Sequence, residues 1–311
     1  MHPAYSVIFF TVSSGAGYGL LALLGMLNIG NYLPDDKWFF FITLVLSLSL
    51  ITLGLLSSTL HLGHPERAWR ALTQWKTSWL SREGVAAVLT YIPAGVLALG
   101  WLFSEQTNDI YVAVGLLAAI GSGITVYCTS MIYASLKAIP AWTFSLVPVL
   151  YLFLSITSGN LLLITLLSAF DSEVAGLSMF CILILLITMF LKIKYWNMVD
   201  RMHANSSIET ATGLGNIGKL RVLEKPHTSE NYLQREMGFQ LARKHSAKLR
   251  RISVITLFIL PVIIISLTFL IPTVALTLTL TAVTFATTGL TIERWLFFAE
   301  AKHVVMNYYE D

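Results

Sequence analysis

The chain has 311 residues, of which 56% are apolar and only 12% charged, with a formal net charge of +3. Soluble domains carry about 25% charged residues, and a mean hydropathy of +0.72 excludes a soluble core of this length. Two cysteines, Cys128 and Cys181, exclude an iron–sulfur cluster built by this chain alone, because such a cluster needs about four Cys ligands.

In chain order, eight apolar segments are long enough to cross a bilayer core of about 30 Å at 1.5 Å per residue. They are residues 7–28, 38–60, 84–103, 110–132, 144–167, 175–191, 252–271 and 272–292. The opening Met1-His-Pro-Ala-Tyr-Ser lacks a basic region, so the first segment reads as a retained helix rather than a removable signal. The last two are divided at Ile271-Pro272-Thr273, since one helix of that length is twice what a bilayer needs. Pro93, Pro148 and Pro261 fall inside spans, which bundles tolerate when neighbours satisfy the freed carbonyls. The expected fold is therefore an all-α integral membrane protein. It is an eight-transmembrane-helix bundle, one membrane domain over 1–311, with both termini on the same side.

That side also carries the connections 60–83, 133–142 and 192–251. Of the 20 Lys and Arg residues, Lys37 alone falls on the opposite side, so the positive-inside rule makes the side with the termini cytoplasmic. The opposite loops are short and acidic, with Asp35, Asp36, Glu105, Asp109, Asp171 and Glu173. The loop 192–251 is the expected docking element for soluble subunits. It closes on a helical stretch from Glu230 to Arg251, with Leu233, Met237, Leu241 and Lys244 on one face. A basic juxtamembrane helix on anionic lipid is the simpler alternative. Within the loop, Gly213-Leu-Gly215-Asn-Ile-Gly218 fits G-x-G-x-x-G. It lacks the preceding strand and βαβ unit of a dinucleotide site, and no nucleic-acid partner is expected.

The chemistry concentrates where the second and third spans end on the cytoplasmic side. There stand Leu60-His61-Leu-Gly-His64-Pro-Glu66-Arg67-Ala-Trp69-Arg70 and Trp79-Leu-Ser-Arg82-Glu83. Ionisable residues at a membrane boundary are costly unless paired or used. A quinone needs hydrogen-bond partners at its carbonyls and a proton for each electron. Histidine titrates near neutrality, and a desolvated carboxyl is drawn toward it. His61 and Glu83 thus suit a quinone headgroup, with Arg82, Arg67, Trp69 and Trp79 shaping the mouth. The residues alone leave a second reading open, in which His61 and Glu83 are helix-end caps. A metal at His61-x-x-His64 is disfavoured by Gly63 and Pro65 and by the lack of further ligands. None of the seven histidines lies mid-span, so no bis-His haem is expected in this chain.

The eighth span runs into Glu293-Arg294-Trp295-Leu-Phe297-Phe298-Ala-Glu300. This reads as an interfacial helix end with an aromatic belt of Trp295, Phe297 and Phe298, its charges pairing among themselves or with Arg82. No carboxylate falls mid-span and no internal repeat is visible, which speaks against a transporter, the competing class beside a scaffold without redox role.

Four motifs together resemble the dimethyl sulfoxide reductase membrane-anchor family over nearly the whole chain. They are His61-Leu-Gly-x-Pro-x-Arg67-Ala, Ser81-x-Glu83, Tyr133-x-Ser135-x-x-x-x-Pro140-x-Trp142 and Arg294-x-x-Phe297-Phe298. The loop from Ala211 through Glu224-x-Pro226-His227-Thr to Arg243-Lys-His245 looks like the branch that anchors cytoplasmic sulfite dehydrogenase. The resemblance implies a multi-pass subunit of the bacterial inner (cytoplasmic) membrane. It exchanges electrons with quinone (ubiquinone or menaquinone) at His61 and Glu83. An iron–sulfur subunit and a molybdopterin catalytic subunit, holding iron–sulfur clusters and a molybdenum bis-pterin, are its implied partners on the cytoplasmic face. In the reductase that names the family, the catalytic arm faces the periplasm. The charge split here favours the sulfite-oxidising branch, sulfite:quinone oxidoreductase, over an anchor that oxidises quinol for a reductase.

Overall fold

The computed structural model describes residues 4–28, 32–60, 64–103, 109–202, 209, 212–221, 223–224 and 241–304. Eight helices among them are long and apolar enough to cross a membrane. They are α1 (Tyr5–Leu27), α2 (Lys37–Thr59), α3 (Trp79–Phe103), α4 (Asp109–Ala134), α5 (Leu146–Ala169) and α6 (Ala175–Asp200). α7 is built from Leu241–Val254, a π-helical turn Ile255–Ile259, and Leu260–Leu267, and α8 is Ala275–Ala299. Among the described residues there is no strand.

α1 is the hub. About 72% of its most apolar stretch is buried, against 33% for α3, α4, α6 and α7, and α5 follows with 61%. α2 and α4 pack on α1, and α3 lies against both. On the other flank α6 and α8 pack on α5, with α7 against α8. Lipid offers no hydrophobic drive between helices, so small residues and hydroxyls hold them together. Gly19 of α1 and Gly159 of α5 face each other so closely that a methyl group at either would overlap the backbone of the opposite helix. Hydroxyls add cross-helix bonds: Ser47 Oγ donates to Gly17 O at 2.9 Å, Ser155 Oγ to Gly15 O at 2.6 Å, and Ser253 Oγ to Gly289 O at 3.1 Å.

The eight expected spans are all present, and several of their ends move. α3 starts at Trp79, which puts Glu83 inside the helix rather than before it. α6 continues to Asp200 and α7 begins by Leu241, so residues 192–200 and 241–251 of the expected loop are helical. The intervening motif residues Glu230, Leu233 and Met237 lie outside the described residues. α8 continues to Ala299 rather than stopping at Ile292. Pro261 lacks an N–H, and its ring would clash with the carbonyl four residues back. The π turn directly before it relieves that conflict by shifting the ladder one residue, with Leu260 N–H reaching Ile255 O.

The chain ends of the bundle are tied at one face. Between α4 and α5 the turn Pro140–Trp142 tucks under α8, where Trp142 Nε1 donates to Phe297 O at 2.9 Å. Tyr195 Oη donates to Ala141 O at 3.1 Å, and Val304 N to Ala138 O at 2.9 Å. Tyr133 meets Trp142, Phe297 and Phe298 at 5.2–5.8 Å between ring centroids. Two motifs that are distant in sequence therefore form one aromatic knot. Phe297 and Phe298 are buried in it and are not an interfacial belt, which corrects the expectation for the end of the eighth span.

Candidate functional site

Glu83 is the fifth residue of α3 and only 4% exposed. Successive helix residues diverge by about 100°, so Arg82 and Glu83 face different ways. Arg82 folds back toward the preceding turn, where its Nε donates to Trp75 O at 3.0 Å and its Nη2 to Lys76 O at 2.7 Å. Its guanidinium lies 4.2 Å over Trp79, whose ring meets Tyr127 of α4 edge-on at 6.1 Å. Arg67 and Trp69 stand exposed on the 3-10 segment Pro65–Gln74; Arg67 is 3.8 Å from Glu66, and Arg70 covers Trp69 at 5.6 Å. The expected mouth is therefore not gathered around Glu83. Arg82 and Trp79 line the outer side of the same helix turn, and Arg67 and Trp69 sit on a separate exposed segment. His61 lies outside the described residues.

Glu83 turns inward, where Thr129 Oγ1 of α4 bonds its Oε1. Thr129 Oγ1 also lies 3.0 Å from Thr125 O. A hydroxyl has one hydrogen. If Thr129 gives it to Thr125, the Glu83 carboxyl must supply the hydrogen in their shared bond and is protonated. If Thr129 gives it to Glu83, the carboxyl is ionised. One hydroxyl rotation thus fits both protonation states, which is what a proton-exchanging acid requires.

A second buried cluster takes in the charged end of the eighth span and adds Lys192, which the sequence does not join to it. Lys192 of α6 and Glu293 of α8 have fully buried side chains and form an ion pair, and Arg294 grips the same carboxylate through Nε and through Nη2, the latter at 2.9 Å. The sequence puts Lys192 in a loop and Glu293 just past the eighth span; the structure places both inside helices, Glu293 near the end of α8. The Lys192 ammonium also faces the rings of Tyr195 at 4.5 Å and Trp196 at 4.9 Å, a stabilising cation–π arrangement. Toward the end face, Arg250 of α7 binds Asp200 at 2.7 Å and Glu300 at 2.9 Å. Burial pushes the Glu300 carboxyl up from its ordinary range, against the hydrogen bonds of Arg250 that pull it down. Three cations and three carboxylates balance across α6, α7 and α8. Glu300 pairs with Arg250, not with Arg82. The sequence signals Glu293, Arg294 and Glu300 as charges at one helix end, and for Lys192 it offers only the neighbouring Tyr195 and Trp196.

Two cavities adjoin. A chamber of about 20 Å³ is lined by Ser14, Thr129, Tyr151, Ser155, Ser158 and Arg294. Next to it runs an apolar groove of about 330 Å³ between α1, α2, α5, α7 and α8, with Phe9, Leu53, Leu154, Leu161, Leu257 and Leu290 in its walls. Val12, Ala16, Leu154, Ser158 and Leu290 border both. Among the described residues no three His, Cys, Asp or Glu side chains converge as a metal site. His64 Nδ1 instead lies 3.0 Å from Glu66 on the surface.

A family model described as DMSO reductase anchor subunit (DmsC) matches residues 1–299. A sulfite dehydrogenase subunit of Allochromatium vinosum is 34% identical over 331 aligned positions, which take in 100% of this chain and 99% of the relative.

Proposed function

From the premise that the chain belongs to the DMSO reductase anchor subunit family, and so is a membrane anchor subunit of a molybdoenzyme, we propose that it passes electrons from a sulfite-oxidising enzyme to quinone. The full-length likeness to a sulfite dehydrogenase subunit supports the substrate. The confinement of all Lys and Arg but Lys37 to one side supports a cytoplasmic face, in a bacterial inner membrane, for the enzyme. Its catalytic and iron–sulfur subunits dock there, on Arg67, Trp69, Arg70 and the segment between α6 and α7.

The molybdenum and iron–sulfur groups of those partners supply the oxidation of sulfite to sulfate and the two electrons it releases. This chain's part is the other half: a quinone takes up two electrons and two protons to become quinol. The buried carboxyl of Glu83, hydrogen-bonded to a hydroxyl that has a second acceptor, carries this reading. Glu83 gives a proton to a quinone oxygen and regains one, with Thr129 rotating to hold either form. His61 serves as the second proton group.

The test compares two acceptors in the purified complex. Glu83→Gln is expected to lower sulfite-dependent quinone reduction about 10²–10⁴-fold, as loss of an acid–base group does, and to leave the rate with a soluble acceptor unchanged. His61→Ala is expected to do the same. Unaltered quinone turnover in both variants would make these residues structural caps. An anchor serving a reductase, as the family model is described, would work in the reverse direction and oxidise quinol; a complex that reduces sulfoxide and does not oxidise sulfite would select it.

A further inference from the structure

The groove and the chamber share a wall of Val12, Ala16, Leu154, Ser158 and Leu290, and the chamber has the larger share of polar groups in its lining. The groove is almost wholly apolar, and its volume falls in the range of small-molecule sites, roughly 300–1,000 Å³. The chamber is mixed, with hydroxyls and the Arg294 guanidinium set among apolar walls. Ser14, Ser155 and Ser158 spend their hydroxyl hydrogens on the carbonyls of Phe10, Gly15 and Leu154 at 2.6–2.8 Å. The Tyr151 hydroxyl is buried and makes no hydrogen bond to the described residues. Its ring lies 4.4 Å under the Arg294 guanidinium. A buried phenol without a partner is costly, and a ligand oxygen that accepts its hydrogen removes that cost.

We propose that this composite space is the site of an isoprenoid-tailed quinone, its tail in the groove and one ring carbonyl turned into the chamber. The proposal rests on the quinone chemistry assigned above to Glu83 and adds the route and the residues that hold the ring. The chamber has room for a water-sized group, so the ring stays at the inner end of the groove while its oxygen takes the Tyr151 hydrogen beside Arg294. Thr129, in the same chamber wall, is the hydroxyl bonded to Glu83. The approach to the acid thus runs between α1, α5 and α8, not past Trp69 and Trp79. Depth selects the occupant. Tyr151 lies five residues inside the start of α5 and Arg294 five residues inside the end of α8, about 8 Å below the helix ends. A phospholipid keeps its charged headgroup at the interface, whereas a neutral quinone ring reaches this depth.

The probe is a tailed azidoquinone, photolysed on the intact complex in lipid nanodiscs. Label is expected on peptides spanning Phe9–Ala16 and Leu154–Leu162, and excess unlabelled quinone is expected to remove it. Leu154→Trp fills the shared wall. It is expected to raise the KM for quinone about tenfold or more, the scale of an overpacked site, with the soluble-acceptor rate unchanged. Label confined to α3 and α4 around Trp79 and Tyr127, or groove label displaced by phospholipid and not by quinone, would overturn the site while leaving the role of Glu83 standing. A complex that oxidises sulfite with a soluble acceptor, reduces no quinone and shows no competed label would overturn both. Because the wild-type labelling pattern decides, a variant that fails to assemble does not shield the proposal.

Discussion

Arg294 holds Glu293 through two nitrogens, so that pair is neutral before Lys192 joins it. The three therefore contribute unequally. Glu293→Gln leaves two buried cations facing each other, and breaking a buried pair in this way costs about 3–5 kcal/mol. Lys192→Met removes the surplus charge, keeps the Arg294–Glu293 pair and preserves the volume among Tyr195 and Trp196. We expect Glu293→Gln to lower the Tm of the detergent-solubilised protein sharply and Lys192→Met to shift it little. Equal losses would mean that Lys192 is an essential member of the pair. Glu83 is legible in the sequence because it is an acid within one helical turn of an apolar run. Lys192 is not. Hydropathy scores a charge by itself, and the partner that makes this one tolerable lies on another helix, far along the chain. Arg82 misleads for a related reason: it stands next to Glu83 in sequence, and adjacency in sequence is divergence on a helix.

α1 and α5 owe their contact to absent side chains. A Cβ on Gly159 would run into the backbone of Gly19 and Leu20, whereas one on Gly123 of α4 meets nothing within 4 Å. Gly159→Val is expected to separate the two central helices and abolish recovery of monodisperse protein by size exclusion. Gly123→Ala is expected to be neutral or to stabilise by about 0.5–1 kcal/mol, the usual gain inside a helix. If Gly159→Val gave normal yield and Tm, the close packing would be wrong. Eight elements and their order can be read from apolar run length alone. Their ends cannot, because α6 and α8 end, and α7 begins, in charged and aromatic residues that pair with one another. The π turn before Pro261 is equally invisible, since a proline within a span signals a conflict without saying how the backbone resolves it.

The arrangement of charge fixes the orientation expected for the whole molecule. A reporter fused after residue 311 is expected to read cytoplasmic and one inserted at Asp171, in the turn between α5 and α6, to read on the opposite side. The reverse pattern would move the enzyme partners to the other face. The buried ion network also sets a timetable for synthesis. α6 leaves the ribosome carrying Lys192, while Glu293 is made only with the last helix. A lysine inside a membrane helix opposes insertion, by up to about 2.5–3.5 kcal/mol at the helix centre and by less toward the end where Lys192 stands. Until α8 arrives, α6 sits in the lipid with a charge that has no carboxylate to meet, and α8 brings an acid that has Arg294 beside it but no lysine. A chain that ends before α8 therefore retains the defect permanently. We expect such a truncation to be degraded rapidly in cells, and Lys192→Met in the truncated chain to slow that degradation. In this bundle the last helix completes a circuit that the sixth helix left open, and membrane quality control is where that dependence becomes visible.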